Sequence, residues 1–200
     1  MRVYGLNTEG LTIEERKAKV LIKLRKYKLV EKEDHENAIS YFVKIPKYKH
    51  KTLVWCFLGG TTVGIVLMNG LYKLMKEKGI ERVITITEGR YTHAVKKGAR
   101  LRNEEAIKNG AKTKPIELLP TSFPVFEIFN HTLVPKHEIL TDEEKKQILS
   151  EYKLQPYQIP HIKSVDPVVK AIGAIPGDIL RVIRKSQTAG QHIAYRYVVE

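Results

Sequence analysis

The order of predicted elements in residues 1–130 constrains the fold more than any other feature of this chain. Five segments carry clear patterns, three strand-like and two helical, and in chain order they are Ile39–Ile45 (strand), Thr52–Leu58 (strand), Val63–Lys78 (helix), Arg82–Thr87 (strand) and Tyr91–Arg102 (helix). Alternating strands and helices are typical of a small sheet covered by helices. The pattern therefore predicts an α/β domain, with two further strands at Pro115–Leu119 and Val125–Phe129.

A first helix is predicted to begin after Thr12, because Thr12 and Glu15 have the spacing of a capping box. Four apolar residues share one face of this helix, namely Ile13, Val20, Leu24 and Tyr27. Four lysines lie mostly elsewhere and are expected in solvent: Lys17, Lys19, Lys23 and Lys26.

Residues 131–200 carry different signals, which predict a small α+β domain. A second capping box at Thr141 opens a helix that extends to about Tyr152, and Asp166 followed by Pro167 starts a shorter one that ends at Gly173. The last segments, Ile179–Arg184 and His192–Val199, are predicted to form a β-hairpin around the turn Thr188-Ala189-Gly190. The two domains are therefore expected to span 1–130 and 131–200.

Charge is distributed unevenly between these two regions. The chain has 35 Lys and Arg against 22 Asp and Glu, a net charge of +13. Residues 1–130 hold 25 bases and 14 acids, a net +11, whereas residues 131–200 hold 10 and 8, a net +2. The excess favours a polyanionic partner for the first region. The alternative is a chain whose surfaces are basic throughout.

Several kinds of site are disfavoured. One cysteine, Cys56, excludes an internal disulfide and a multi-cysteine zinc site, and its apolar surroundings in the sequence suggest a buried thiol. No apolar stretch is long enough for a membrane span, and the first ten residues lack a signal-peptide core, so no membrane partner is expected. The segment Gly59–Gly64 has the position of a phosphate loop but lacks its Lys and Ser/Thr. No metal or cofactor is expected.

A basic segment after the third predicted strand suggests contact with nucleic acid. Arg90, Thr92, Lys96 and Lys97 combine cations and a hydroxyl at the start of a helix, an arrangement that suits phosphate groups. The absence of an aromatic array favours contacts with the backbone rather than with bases. A solvated helix face explains the same composition equally well, and a nuclease-like enzyme stays an alternative although paired carboxylates are missing.

Residues 131–200 contain a series of short motifs in register. They are His131-Thr132-Leu133-Val134-Pro135-Lys136-His137-Glu138-Ile139-Leu140, Asp166-Pro167-Val168-Val169, Pro176-Gly177-Asp178, Ile183-Arg184-Lys185-Ser186, Thr188-Ala189-Gly190 and Tyr195-Arg196. This series resembles a shared RNA polymerase subunit, known as the H-type subunit in archaea and as the fifth common subunit of polymerases I, II and III in eukaryotes. Residues 1–130 resemble the N-terminal jaw domain of the eukaryotic form more weakly, and Tyr91-Thr92-His93-Ala94 departs from that form's usual Thr-Pro-Ser-Ala loop.

The resemblance implies a non-catalytic subunit of a DNA-directed RNA polymerase. The C-terminal domain would dock on the largest subunit near the small omega-like subunit, and the jaw would lie beside downstream duplex DNA. Catalysis would belong to the largest subunit. The protein would be nuclear in a eukaryote, and would lie in the cytoplasm or nucleoid for an archaeal or viral source.

Overall fold

The computed structural model describes residues 10–45, 51–60, 62–111, 114–186 and 190–200. The chain divides into two compact units, Met1–Phe126 and Glu127–Glu200, each with its own sheet. Both units mix helices and strands, which confirms the predicted fold class. Within the described ranges, no helix combines the length and apolar character needed to cross a bilayer.

The first unit contains three helices and a five-stranded sheet. In chain order its elements are α1 (Ile13–Leu24), β1 (Lys28–His35), β2 (Ala38–Lys44), β3 (Lys51–Phe57), α2 (Ile65–Glu77), β4 (Arg82–Thr87), α3 (His93–Lys108) and β5 (Ile116–Leu118). The sheet order is β1-β2-β3-β4-β5, with antiparallel pairing from β1 to β3 and parallel pairing from β3 to β5. Crossover helices are required between parallel strands, and α2 and α3 supply them.

Each face of this sheet has its own apolar core. Ala18, Val20 and Leu21 of α1 pack on one face with residues such as Ile84 and Ile86 of β4. The other face, represented by Leu53 and Val83, packs against α2 and α3. Burial on both faces explains why β3 is a nearly continuous apolar run and why five of the six residues of β4 are buried.

Several details of the first unit differ from the predictions, among them the end of α3, which lies at Lys108 rather than at Arg102. Lys17 is 2% exposed rather than solvated, because its ammonium pairs with Glu88 and donates to the carbonyl oxygen of Thr121. Residues 125–129 form no strand and instead lead into a 3-10 turn at Ile128–Asn130. Strand β1 was not predicted, because its largely polar and exposed sequence lacks the alternation of a half-buried strand.

An ion triad, in which Arg25 is buried and Arg82 and Glu117 are partly buried, joins three elements of the first unit. The two guanidinium nitrogens of Arg25, which follows α1, donate to the two carboxylate oxygens of Glu117 in β5 at 2.8 and 2.7 Å. Arg82 of β4 donates to the same carboxylate at 2.8 Å. Burial alone raises the pKa of Glu117, but the two cations outweigh that effect and hold the pKa at about 2. The carboxylate is therefore ionised wherever the protein is folded near neutral pH.

The second unit contains two helices and a four-stranded sheet. Its elements are β6 (Lys136–Ile139), α4 (Asp142–Glu151), β7 (His161–Lys163), α5 (Pro167–Ile172), β8 (Ile179–Ser186) and β9 (Gly190–Val199), with a 3-10 turn at Pro156–Gln158. The sheet order is β6-β8-β9-β7, and the long pair β8 and β9 is the predicted terminal hairpin. The short strands β6 and β7 were not predicted.

The two helices of the second unit pack on opposite faces of its sheet. Ile148 and Leu149 of α4 pack with Ile179, Tyr195 and Tyr197. On the other face, Val169 and Ile172 of α5 pack with Leu180 and Val198. In β9, Tyr195 and Tyr197 lie on the α4 side and Arg196 and Val198 on the other, as expected from the alternation of side chains in a strand.

The predicted helix starts in both units are confirmed. Thr12 and Thr141 each accept from the amide three residues later, and Glu15 and Glu144 each accept a bond from the cap amide in return. Asp166 caps α5 by accepting from the amides of Val168 and Val169. These signals are local, since each depends on residues within one helical turn.

Candidate functional site

The loops before α2 and α3 are tied together at the carboxyl ends of parallel strands β3 and β4. The amide of Val63 donates to the carbonyl oxygen of Arg90 at 2.9 Å, and the amide of Thr92 donates to that of Val63 at 3.1 Å. The two helices therefore begin side by side, α2 after Gly64 and α3 after Thr92.

Neither helix start receives a hydrogen bond from its capping side chain. Gly64 has no side chain to offer, and Thr92 makes no such bond although its backbone has the extended geometry of a cap. The Thr92 hydroxyl oxygen is buried and lacks a hydrogen-bond partner among the described residues. Helix N-termini carry partial positive charge and unpaired amides, so two adjacent ones favour an anion.

The cations of this segment fall into two groups. Arg90, Lys96 and Lys97 are exposed, and they form no ion pair with any acid in the described part of the chain. Arg100 pairs with Glu104 at 3.5 Å, and the guanidinium of Arg102 lies 3.7 Å from the centre of the Tyr72 ring. The structure thus leaves Arg90, Lys96 and Lys97 available for a partner and engages the other two internally.

Two neighbouring features do not take part in this surface. The hydroxyl of Tyr91 donates to the carbonyl oxygen of Thr85 at 2.8 Å, so it points inward and not toward a ligand. The amide of Gly60 lies 3.4 Å from a carboxylate oxygen of Glu14, to which it donates. A carboxylate at that position repels phosphate, which argues against a phosphate loop at Gly59–Gly64.

In the second unit, motif residues distant in sequence meet on one face of the sheet. His137 of β6 lies opposite Val182, and Val182 lies opposite Ala194. Arg184 and Arg196 are two residues along from these positions, and so they flank the row on the same face. This is the face that α5 covers in part, and Arg184 is exposed on it.

His137 is held in one orientation and one tautomer. Its Nδ1 lies 2.8 Å from the carbonyl oxygen of Pro135, which can only accept, so Nδ1 carries the proton. Burial lowers the pKa of His137, and the charges of Arg184 and Arg196 lower it further, against the opposing effects of the Pro135 bond and Asp166. The imidazole is therefore neutral near pH 7, with Nε2 as an acceptor.

The other motif residues mostly stabilise helix starts and turns. Pro167 is the first residue of α5, Gly177 and Gly190 have φ of +96° and +67°, and Asp178 accepts from Ile175 at 2.9 Å and pairs with Lys145 at 2.9 Å. Tyr195 contacts Tyr152.

The start of the long motif forms a turn. The amide of Val134 donates to the carbonyl oxygen of His131, and the amide of Leu133 donates to the ring of His131. Leu133 is 85% exposed. Thr188 lies outside the described residues.

Among the described residues, no group of three or more His, Cys, Asp or Glu side chains is arranged to hold a metal ion. The charged groups that do converge are cationic or paired. The chemistry that these surfaces support is recognition of anions and of protein surfaces.

Comparison with known proteins identifies the second unit. The model of the RNA polymerase Rpb5 C-terminal domain matches residues 126–198. DNA-directed RNA polymerase subunit Rpo5 of Pyrococcus abyssi is 57% identical over 75 residues, which are 38% of this chain and 92% of that protein. The corresponding protein of Staphylothermus marinus is 60% identical over 72 residues, which are 36% of this chain and 79% of that protein.

One relative extends the similarity into the first unit. Subunit RPABC1 of DNA-directed RNA polymerases I, II and III from Caenorhabditis briggsae is 33% identical over 139 residues, which are 70% of this chain and 62% of that protein. The aligned stretch is longer than the second unit, so it includes part of the first. The chain belongs to the family of DNA-directed RNA polymerase subunits that includes archaeal Rpo5 and eukaryotic RPABC1.

Proposed function

We propose that the chain is a non-catalytic structural subunit in which the two units have different partners. The second unit docks on the largest polymerase subunit, near the omega-like small subunit. The first unit acts as a jaw beside downstream duplex DNA. The protein then resides wherever its polymerase works, which is the nucleus in a eukaryote and the cytoplasm or nucleoid otherwise.

The observation that carries the docking proposal is the convergence of His137, Arg184 and Arg196 on one face. His137 and the two arginines that flank it are not residues of the apolar core, and Arg184 is exposed. Their presence is explained if the face meets acidic or acceptor groups of a partner.

A pull-down tests docking directly. The full chain, carrying an affinity tag in its native host, is expected to recover the other polymerase subunits. Recovery of none of them contradicts the proposal. Arg184→Glu with Arg196→Glu is expected to reduce recovery about tenfold or more, since reversing charge at an interface introduces repulsion.

A matched pair of exposed lysines in the same unit provides the control. Lys146→Glu with Lys163→Glu changes the net charge equally but lies away from the His137 face. We expect this control to recover the polymerase normally. Equal loss in both double variants would reject the assignment of this particular face.

The DNA proposal rests on Arg90, Lys96, Lys97 and the paired starts of α2 and α3. Backbone contacts of this kind depend on salt, and each neutralised phosphate contributes about 0.9 to the log–log slope of affinity against salt. Lys96→Ala with Lys97→Ala is expected to reduce the slope by about 1 to 2 without changing sequence preference. The control Lys73→Ala with Lys108→Ala should leave it unchanged.

Two outcomes would oppose this assignment. An unchanged slope in the Lys96→Ala, Lys97→Ala protein rejects these residues as phosphate contacts. Cleavage of the duplex by the purified full chain with Mg²⁺ would favour the nuclease-like alternative instead.

A further inference from the structure

A second cationic surface lies on the first unit, at the end of the sheet where β1 and β3 begin and β2 ends. The polymerase role proposed above does not use it. In the register of the sheet, Lys28 of β1 lies opposite Lys44 of β2, and Lys44 lies opposite Lys51 of β3. Directly opposed residues in antiparallel strands point to the same face. All three are exposed and form no ion pair with any residue that the structure describes.

An apolar pocket of about 310 Å³ opens beside this row of lysines. Val30, Phe42 and Ile80 contribute apolar side chains to its lining, and Lys44, Lys51 and Lys78 contribute cations. Glu31 is the acid in the lining. Lys78 lies 4.7 Å from the centre of the Phe42 ring and pairs with Glu33 at 2.8 Å. Among the described residues, Lys44 and Lys51 are therefore the lining cations that form no ion pair.

The shape of β1 adds to this pocket. The register of β1 shifts between Leu29 and Glu31, which leaves Val30 without an opposing residue in β2. A bulge of this kind redirects a side chain, and Val30 lines the pocket while remaining 57% exposed. The exposed valine adds apolar surface to the lysine-rimmed pocket, which a partner's apolar side chain can bury.

We propose that this lysine-rimmed pocket binds an acidic polypeptide segment that carries one bulky apolar side chain. The apolar side chain enters between Val30, Phe42 and Ile80, and flanking carboxylates pair with Lys44 and Lys51. Charge complementarity favours an acidic partner, and the apolar lining favours a peptide over nucleic acid, because phosphate groups gain nothing from an apolar floor.

The proposal is tested with the full chain and synthetic peptides, without any polymerase. A fluorescein-labelled peptide of Asp and Glu residues with a single central Phe is titrated by fluorescence anisotropy. We expect saturable binding, and we expect replacement of Phe by Gly to weaken it about tenfold, the value of one buried apolar anchor. Equal binding of the two peptides would overturn the proposal, since it would show charge attraction alone.

Two pairs of variants locate the site. Val30→Asp is expected to weaken binding about tenfold, whereas Leu29→Asp, at a neighbouring residue that is 54% exposed but does not line the pocket, should change it less than about twofold. Lys44→Glu with Lys51→Glu should weaken binding about tenfold, and Lys146→Glu with Lys163→Glu should not.

Competition separates a peptide site from a nucleic-acid site. Unlabelled duplex DNA should displace the peptide poorly, and its own binding should persist in the Lys44→Glu, Lys51→Glu protein. Loss of DNA binding in that variant with peptide binding retained would overturn the proposal in favour of a nucleic-acid surface.

Discussion

The two units differ in how deeply their charge networks are buried. In the first unit Glu117 is held between the largely buried side chains of Arg25 and Arg82, and exposed cations such as Lys96 and Lys97 form no ion pair among the described residues. In the second unit acids and bases meet near the surface. Lys145 pairs with Asp178, and Arg181 pairs with Glu144 at 3.1 Å.

This difference shows what net charge means structurally. The first unit is basic because its bases outnumber its acids, and several of its exposed cations, among them Lys96 and Lys97, form no ion pair among the described residues. The second unit is nearly balanced, and the pairs Lys145–Asp178 and Arg181–Glu144 join α4 to the sheet. An excess of basic residues therefore indicates a binding surface only when the structure also shows which of these bases pair with acids of the same chain.

The largest loss of stability is expected from Glu117→Gln in the first unit. The variant leaves Arg25 buried without its counter-charge, which costs about 3 kcal/mol of the free energy of unfolding. The sole tryptophan, Trp55, lies in β3, so its fluorescence reports unfolding of the first unit. Glu104→Gln, at an exposed helix pair, is the control and should stay within about 0.5 kcal/mol.

The pH dependence of the first unit should follow the same carboxylate. The pKa of Glu117 in the folded state, about 2, lies below its ordinary value of 4.5, so ionised Glu117 stabilises the fold fully above about pH 4.5. That stabilisation is lost as the pH falls from about 4.5 toward 2. Measured by Trp55 fluorescence in urea, the difference between wild type and Glu117→Gln should shrink over this range, and a constant difference would contradict the triad's role.

Gly190→Val should act on the second unit alone. Gly190 has φ of +67° at the hairpin, and a valine there costs about 2 kcal/mol because β-branched residues disfavour this conformation. Among the residues that the structure describes, no atom beyond the chain neighbours lies within 4 Å of the added Cβ, so the cost is conformational. Gly190→Asn, which tolerates this φ, should cost less.

The readout for Gly190→Val separates the units. Far-UV circular dichroism should show an earlier transition, while the Trp55 fluorescence transition stays in place. A simultaneous shift of both would show that the units unfold together.

The smallest effect on stability is expected from Lys96→Ala with Lys97→Ala. Both side chains are exposed and unpaired among the described residues, so thermal unfolding should change by less than about 0.5 kcal/mol. A larger loss would show that these lysines serve the fold and would weaken their assignment to DNA.

Prediction from the sequence succeeded where the signal is local. The helix starts at Thr12, Thr141 and Asp166 depend on a few neighbouring residues. It was wrong at Lys17, where contacts with the distant residues Glu88 and Thr121 decide the outcome, and at residues 125–129, which lead into a 3-10 turn.

The candidate surfaces divide in the same way. Arg90, Lys96 and Lys97 stand out in the sequence as a basic cluster, but the adjoining start of α2 and the inward hydroxyl of Tyr91 could not be anticipated. Likewise, the motifs containing His137, Arg184 and Arg196 indicate the family without showing that these residues share a face.

The sequence by itself determined the family, the helix caps and the uneven charge, because motifs, caps and composition are readable within short stretches. Only the tertiary structure decided which charges are buried, which strand forms the sheet edge, and which cations lie together. Those properties depend on strand register and on packing between residues far apart in the chain, and neither can be predicted from short stretches of the sequence.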